Sequence, residues 1–259
     1  MNRAIFTLII GILFLSQQES KAQSWELGVF GGGIGYVGDL NPKNLFQLSN
    51  PAYGILVKRN IDPYWSIKLS ILHGKIEAAD SNSNNSAQIL RNLSFFSPLT
   101  EISMQGEFNF FNYIPSMSRK KYSPYLFAGG SLALFNPKTR YQGEIVALNG
   151  LKTEGTFYRK YTIAIPYGAG IKYNIAGNWT LGAELGYRTA FTDHLDDVSG
   201  KYPKENVNGL SDRSEERVGV ISPFREGYQR GDSKKRDTYF FSGFTLTYTF
   251  ISSKCPPAF

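Results

Sequence analysis

The stretch from Trp179 to Phe191 reads WTLGAELGYRTAF, and its large apolar side chains fall on alternate positions. Small or polar residues occupy the positions between them, including Glu184 and Arg188. Successive side chains of a β-strand point to opposite faces, so this period of two predicts a strand with one apolar and one polar face.

Two more stretches repeat this alternation clearly, at 161–174 and 240–250, and noisier versions occupy about 24–36, 51–60, 64–76, 99–112 and 123–135. The sequence therefore predicts eight strands. Many of them have the length of about ten residues that a tilted strand needs to cross a bilayer.

The predicted connections alternate in length. Those near 60–63, 113–122 and 174–178 are short, whereas those at roughly 37–50, 77–98, 136–160 and 192–236 are long and polar. Short turns on one side and long loops on the other are typical of bacterial outer-membrane barrels. We therefore predict an all-β fold, an eight-stranded antiparallel up-and-down transmembrane barrel with both termini in the periplasm and the long loops outside the cell.

The N-terminus resembles a secretory signal peptide. Arg3 supplies the positive charge, 4–15 are apolar, and Ser20-Lys21-Ala22 offers small residues at a cleavage site. We expect residues 1–22 to be removed, 23–251 to form the barrel, and 252–259 to be a periplasmic C-terminal tail.

The charged residues predict which face of the barrel meets lipid. Four acids and four bases fall on the polar faces of six strands, and a soluble lipocalin-type barrel would instead be apolar inside. A charge facing lipid at the midplane costs about 2–4 kcal/mol, so we place these residues in the lumen as a self-complementary charge network. The predicted network is Glu26, Lys58, Lys68, Glu101, Glu107, Lys172, Glu184 and Arg188.

Such a lumen predicts a plugged barrel with negligible conductance, because side chains fill the interior of an eight-stranded barrel. The outward faces would then contact outer-membrane lipid, with aromatic residues near the strand ends forming a girdle. The predicted girdle residues are Trp25, Trp65, Tyr161, Tyr173, Trp179 and Phe250.

The residues that could support chemistry are few, and we expect a non-enzymatic protein with no cofactor. His73 falls on the lipid-facing side, and His194 lies near Asp193 and Ser199 in a loop, where turn formation explains the residues as well as catalysis does. A calcium site at Asp193, Asp196 and Asp197 is a weak alternative to no metal, since the spacing is not that of an EF-hand.

Other features favour no specific ligand. The net charge of +7 is spread along the chain, and the sequence has no block of Lys and Arg residues that could bind along a nucleic-acid backbone. No nucleic-acid partner is therefore expected. Arg230-Gly231-Asp232 is the integrin-recognition tripeptide, but a glycine turn before the last strand explains it equally well.

Cys255 is the single cysteine and follows the last strand. A free thiol in an oxidising compartment is unusual, and it indicates either an intermolecular disulfide or an incidental unpaired cysteine.

Several motifs along the mature chain resemble the PorG family, the small outer-membrane barrel of the Bacteroidota type IX secretion system. They run from about residue 25 to 256, and His194 stands where we expect Tyr in the family. The motifs are Tyr36-Val37-Gly38-Asp39-Leu40-Asn41, 123–130, Phe135-Asn136-Pro137, Thr153-Glu154-Gly155, 165–173, 188–200, 247–250 and Cys255-Pro256.

This resemblance implies a non-enzymatic role in protein secretion, through contact with a periplasmic ring of the PorK and PorN type. The periplasmic side would make that contact, through the tail around Cys255 and the turn carrying Arg119, Lys120 and Lys121, which reads equally well as a solvated hairpin tip. The alternative function is a surface-ligand-binding or adhesion barrel that acts through its long loops.

Overall fold

The computed structural model describes residues 24–41, 46–115, 117–204, 207–219, 226–232 and 236–250. The predicted signal peptide 1–22 and the predicted tail 252–259, which carries Cys255, lie outside these residues.

Within these described residues, ten strands form one antiparallel sheet. In chain order they are β1 (Ser24–Val37), β2 (Leu48–Asn60), β3 (Trp65–Ala79), β4 (Ser94–Asn109), β5 (Tyr122–Phe135), β6 (Lys138–Tyr141), β7 (Glu144–Ala147), β8 (Tyr161–Ala176), β9 (Trp179–Ala190) and β10 (Thr238–Phe250).

Eight of these strands close into a barrel, which confirms the predicted fold. Each barrel strand pairs with the next one along the chain, and β10 returns to pair with β1. The hairpin of β6 and β7 extends the sheet beyond β4 and was predicted only as loop. Strand β4 begins at Ser94 rather than at 99, because Phe95 and Ser97 continue its inward face before Pro98.

The register determines the tilt of the barrel. Paired residues followed once around it from Trp25 return to β1 at Gly35, ten residues further on. This stagger of ten is the shear that an eight-stranded barrel needs for a tilt of roughly 40° and a core that side chains can fill.

Gly32 and Gly243 face each other across β1 and β10, where a Cβ on Gly32 would lie 2.3 Å from the Ser242 carbonyl oxygen.

The outer wall is apolar. Exposed Leu, Ile, Val, Met and aromatic side chains cover all eight barrel strands, while polar groups on the same strands point inward. At the short-turn end lie several exposed aromatic residues of the predicted girdle, namely Trp25, Trp65, Tyr173, Trp179 and Phe250. Such a band suits contact with lipid, since the hydrocarbon offers no partner for polar groups.

Phe240 lies on the outward face of β10 but departs from the alternation of burial. Its parity predicts a lipid-facing side chain, but Phe240 is only 1% exposed. The ring packs over Gly35 and beside Tyr187, and Phe46 from the first long loop contacts Tyr187 in turn. The loop thus covers this part of the wall, an arrangement that strand parity does not predict.

The inner side of the barrel has two zones. Charged residues fill the half near the short turns, whereas a hydrophobic core fills the half near the long loops and continues into them. This core includes Phe30, Ile34, Tyr36, Ile76, Leu99, Phe135, Leu195, Val198 and Phe241. Strand parity predicts the charged zone but not this apolar one, whose strand residues also fall on the inward face.

The helical segments in the described parts of the loops are short, namely Asp80–Asn82, Ser86–Arg91, Val207–Gly209 and Glu215–Val218. Asn85 begins the second of them, since its side chain accepts a hydrogen bond from the Ala87 N–H. Within the described ranges, no helix is long and apolar enough to cross a membrane.

Candidate functional site

All eight residues of the predicted charge network lie buried in the lumen. Glu107 is at its centre, with carboxylate oxygens 2.8 Å from Lys58 Nζ, 3.3 Å from Lys68 Nζ and 3.1 Å from Lys172 Nζ. The three lysines come from β2, β3 and β8, so one carboxylate on β4 joins strands on different sides of the barrel.

Two further carboxylates complete this lower layer. Glu184 accepts from Lys68 at 2.9 Å and from the Tyr125 hydroxyl at 3.0 Å, while Glu26 accepts from Asn60 at 2.7 Å and lies 3.9 Å from Lys58 Nζ. Three acids therefore face three ammonium groups. A buried charge is tolerated when opposite charge and hydrogen bonds surround it, and both conditions hold here.

A second layer lies above the first, toward the long loops. Arg188 Nε lies 3.3 Å from both oxygens of Glu101, and Tyr239 donates its hydroxyl proton to Glu101 at 2.6 Å. The guanidinium carbon of Arg188 also sits 4.7 Å above the Phe241 ring. These side chains fill the cross-section beneath the hydrophobic core.

The long loops fold into a structure that we call the loop cap, comprising residues 38–41, 80–93, 148–160, 191–202, 230–232 and 236–237. Arg91 makes a bidentate ion pair with buried Asp80, at 2.8 and 2.7 Å. Arg230 donates to Glu154 at 2.8 Å and to the Asp197 carbonyl at 2.7 Å. Glu154 in turn accepts the backbone N–H groups of Ser199 and Gly200, at 3.0 and 2.9 Å.

Several motif stretches from separate loops meet in this cap. The Thr153-Glu154-Gly155 stretch contacts 195–200 through the Thr153 hydroxyl, which donates to Asp197 at 2.5 Å. The Gly38–Asn41 turn contacts 230–232, because the Asp232 N–H donates to Asp39 at 2.5 Å. Their proximity could not be predicted from the sequence, in which these stretches lie far apart.

Three buried carboxyl groups lie at the base of the cap, on Asp39, Asp196 and Asp237. The Tyr36 hydroxyl donates to Asp237 at 2.8 Å, and the Leu195 N–H donates to its other oxygen at 2.9 Å. Burial, followed by the neighbouring Asp237 charge, raises the pKa of Asp39 to about 9. Burial likewise raises the pKa of Asp237 to about 8, and burial with the Asp237 and Asp39 charges raises the pKa of Asp196.

The predicted calcium candidates do not converge. The Asp197 carboxylate is held by the hydroxyl groups of Thr153 and Tyr158, whereas Asp196 accepts from the Val198 N–H at 2.9 Å. Asp193 is buried in the same loop, which follows β9. Across the described ranges, no three His, Cys, Asp or Glu side chains are arranged to hold a metal ion.

The residues weighed for catalysis are also separated. The His194 ring lies 4.6 Å from the Tyr158 ring, and burial lowers the pKa of its imidazole. The backbone N–H of Ser199 donates a hydrogen bond to the Glu154 carboxylate. On the outer wall, His73 Nδ1 lies within hydrogen-bond distance of the Thr100 hydroxyl, at 2.8 Å. The two histidines therefore lie in different parts of the molecule, His73 on the outer wall and His194 in a long loop.

At the short-turn end, the turn between β4 and β5 exposes Arg119, Lys120 and Lys121. The Lys120 ammonium lies 3.7 Å from the Phe111 ring centroid, which holds one of the three charges near the barrel rim. At the other end, the Arg230-Gly231-Asp232 tripeptide is not presented for binding, because Arg230 is buried and ion-paired in the cap.

Comparison with models of known protein families identifies the family of the chain. The model of the Domain of unknown function DUF6089 matches residues 3–258. The chain belongs to the DUF6089 family. No curated protein matches it.

Among solved structures, this DUF6089 protein is similar to several outer-membrane barrels. A major outer membrane protein from Thermus thermophilus has a TM-score of 0.46 at 12% identity, covering 88% of this chain and 99% of that one. The N-terminal barrel domain of Pseudomonas aeruginosa OprF has a TM-score of 0.40 at 12% identity, covering 90% and 100%. OprG from the same organism has a TM-score of 0.41 at 9% identity, covering 88% and 97%.

Proposed function

We propose that this protein is a non-enzymatic anchor and assembly component of the type IX secretion system in the bacterial outer membrane. In this proposal both termini and the short turns face the periplasm, and the long loops lie outside the cell. The observation that carries it is the filled lumen, where Glu107 binds three lysines and a hydrophobic core closes the other half. A barrel packed in this way suits an anchor better than a transport path.

The proposed contact surface is the short-turn end. Arg119, Lys120 and Lys121 form an exposed run of positive charge there, which would suit an acidic surface on a periplasmic ring of the PorK and PorN type. The resemblance of the chain to the PorG family supports this partner. Cys255 follows β10 in the sequence and would lie on the same side, where a disulfide to a partner could form.

A charge-reversal variant tests the proposal in a strain whose own gene is deleted. Wild-type protein should restore export of proteins that carry the type IX sorting domain and should co-purify with the ring. R119E/K120E/K121E should lose both properties while still reaching the outer membrane. K201E/R217E, which reverses two exposed cations at the long-loop end, is the matched control and should behave as wild type.

Normal export in the deletion strain would refute the proposed function. A disulfide through Cys255 is tested separately, since non-reducing gels of intact cells should show a heavier adduct that Cys255→Ser abolishes. Absence of that adduct would remove the disulfide and leave the ring contact standing.

A second candidate is a surface-ligand-binding or adhesion barrel. It is favoured by exposed aromatic residues on the long loops, since Phe157 is 71% and Tyr228 is 56% exposed. Under this alternative, Phe157→Ser with Tyr228→Ser should reduce adhesion to the ligand surface and leave export unchanged.

A further inference from the structure

A cleft of about 580 Å³ opens on the outer wall at the long-loop end. Its lining comes from the long-loop ends of β2, β3 and β4, from the hairpin of β6 and β7, and from residues 40–41, 47 and 82–84 of the long loops. The residues that matter most for its chemistry are Leu48, Lys75, Glu77, Phe96, Arg140 and Ile145. It is separate from the lumen network and from the buried carboxyl groups of the loop cap.

The position of the cleft relative to the lipid follows from β3. Lys75 and Glu77 continue the outward row of Ile67, Leu69 and Ile71. Lys75 is ten residues from Trp65, which lies at the short-turn end of the same strand. At roughly 3.3 Å per residue and a tilt of roughly 40°, that interval rises about 25 Å along the barrel axis. The apolar band of an outer-membrane barrel is about 25 Å tall, so Lys75 lies where lipid headgroups begin.

The charges of the cleft favour an anion. Lys75 and Glu77 form an exposed ion pair at 2.8 Å, and the Lys75 ammonium lies 5.8 Å from the Phe96 ring centroid. Arg140 is exposed and makes no ion pair among the residues that the structure describes. One acid therefore faces two bases. An incoming phosphate would meet the guanidinium of Arg140, whose planar donors match its oxygens.

The apolar residues of the cleft are continuous with the lipid-facing wall. Leu48 is 50% and Ile145 is 61% exposed, and they stand on opposite sides of the opening. Exposed apolar residues at the edge of a membrane band suit the glycerol and first methylene groups of a lipid rather than a free, fully hydrated anion.

We propose that this cleft binds the anionic headgroup of a membrane lipid in the leaflet at the long-loop end. The phosphate contacts Lys75 and Arg140, and the start of the acyl chains lies between Leu48 and Ile145. Three observations carry the proposal: the height of the cleft at the edge of the apolar band, its excess of positive charge, and the continuity of its apolar residues with the outer wall.

The test uses the full chain purified in a neutral detergent and examined by native mass spectrometry. Phosphatidylglycerol and phosphatidylcholine with identical acyl chains are titrated against wild type, K75Q/R140Q and K201Q/R217Q. Wild type should bind phosphatidylglycerol roughly thirtyfold more tightly, given the usual contribution of two basic side chains at an anionic lipid surface. K75Q/R140Q should lose this preference, and the control pair at 201 and 217 should keep it.

A second variant, L48N/I145N, tests the apolar contact and should weaken binding of both lipids while retaining the preference for the anionic one. Heat-induced mobility shifts on gels show that each variant is folded. Equal affinity for the two lipids in wild type, or an unchanged preference in K75Q/R140Q, overturns the proposal. Displacement of the lipid by millimolar inorganic phosphate overturns it as well, since the site would then be one for a free anion.

Discussion

The Glu107 carboxylate on β4 lies 2.8 Å from the Lys58 ammonium nitrogen on β2, a contact that bypasses the intervening strand β3. The same carboxylate binds Lys172 on β8, so it links strands that share no backbone hydrogen bonds. The ion pairs of the lumen thus connect strands across the interior of the barrel, whereas the backbone hydrogen bonds of the sheet connect neighbouring strands around it.

Replacement of Glu107 by Gln should destabilise the folded barrel strongly. It would leave three buried ammonium groups facing two carboxylates, and breaking a buried ion pair costs about 3–5 kcal/mol. Urea unfolding in lipid vesicles, followed by tryptophan fluorescence, measures this loss because all three tryptophans lie on the outer wall.

Glu144→Gln is the matched control, since Glu144 is exposed on the hairpin of β6 and β7. It should change the free energy of unfolding by less than about 0.5 kcal/mol. Equal stability of Glu107→Gln and this control would contradict the structural role of the charge network.

The filled lumen also predicts electrical behaviour. Pure protein in planar bilayers should give no reproducible channel current, because paired charges and the hydrophobic core occupy the cross-section. A wide porin reconstituted in the same bilayers provides the positive control. Stable open-channel steps from the pure protein would show that the interior rearranges in the membrane.

Replacement of Arg230 by Ala should loosen the loop cap and leave the barrel intact. Buried Arg230 joins Glu154, the Asp197 carbonyl and the Ser211 carbonyl, at 2.8, 2.7 and 2.9 Å. Its loss leaves the Glu154 carboxylate without its cation, at a cost of about 3–5 kcal/mol for a buried pair.

Limited proteolysis should then cleave R230A within 191–237 several times faster than wild type, with unchanged heat modifiability of the barrel. Arg217→Ala removes an exposed arginine from the same region and should behave as wild type. Equal cleavage of both variants would mean that Arg230 does not hold the cap.

The barrel could be predicted from the sequence because its physical cause is periodic. A lipid-facing wall imposes apolar residues at every second position, and Trp179–Phe191 shows this pattern directly. The same parity predicts that Glu107 and Lys172 lie in the lumen, as the structure shows. It could not show that Glu107 binds three lysines, because pairing depends on the shear of the barrel.

The loop cap could not be predicted in the same way. Asp39, Arg91, Glu154 and Arg230 come from four separate loops, and no period relates them. Phe240 shows a related limit, since its parity is correct but a loop covers it. Contacts between loops are set by tertiary packing, which leaves no short-range signal in the sequence.

The buried carboxyl groups of the cap predict a pH dependence. Burial raises the folded-state pKa of Asp39 to about 9 and of Asp237 to about 8, whereas an exposed Asp has a pKa of about 3.9. The folded cap therefore holds more protons than the open cap between about pH 4 and pH 8. Its stability is fully present below about pH 4 and is lost as the pH rises toward these folded-state pKa values.

Hydrogen exchange measures this effect. Protection factors of the amides at 194–200 should fall at least about tenfold between about pH 5 and pH 7, since each such carboxyl contributes about 1.4 kcal/mol per pH unit. Barrel amides in β9 should not change in parallel. Asp196→Asn keeps an oxygen for the Val198 N–H and removes one buried acid, so it should flatten the profile. Protection that rises with pH, or that is as steep in Asp196→Asn as in wild type, would show that these carboxyl groups are ionised in the folded cap.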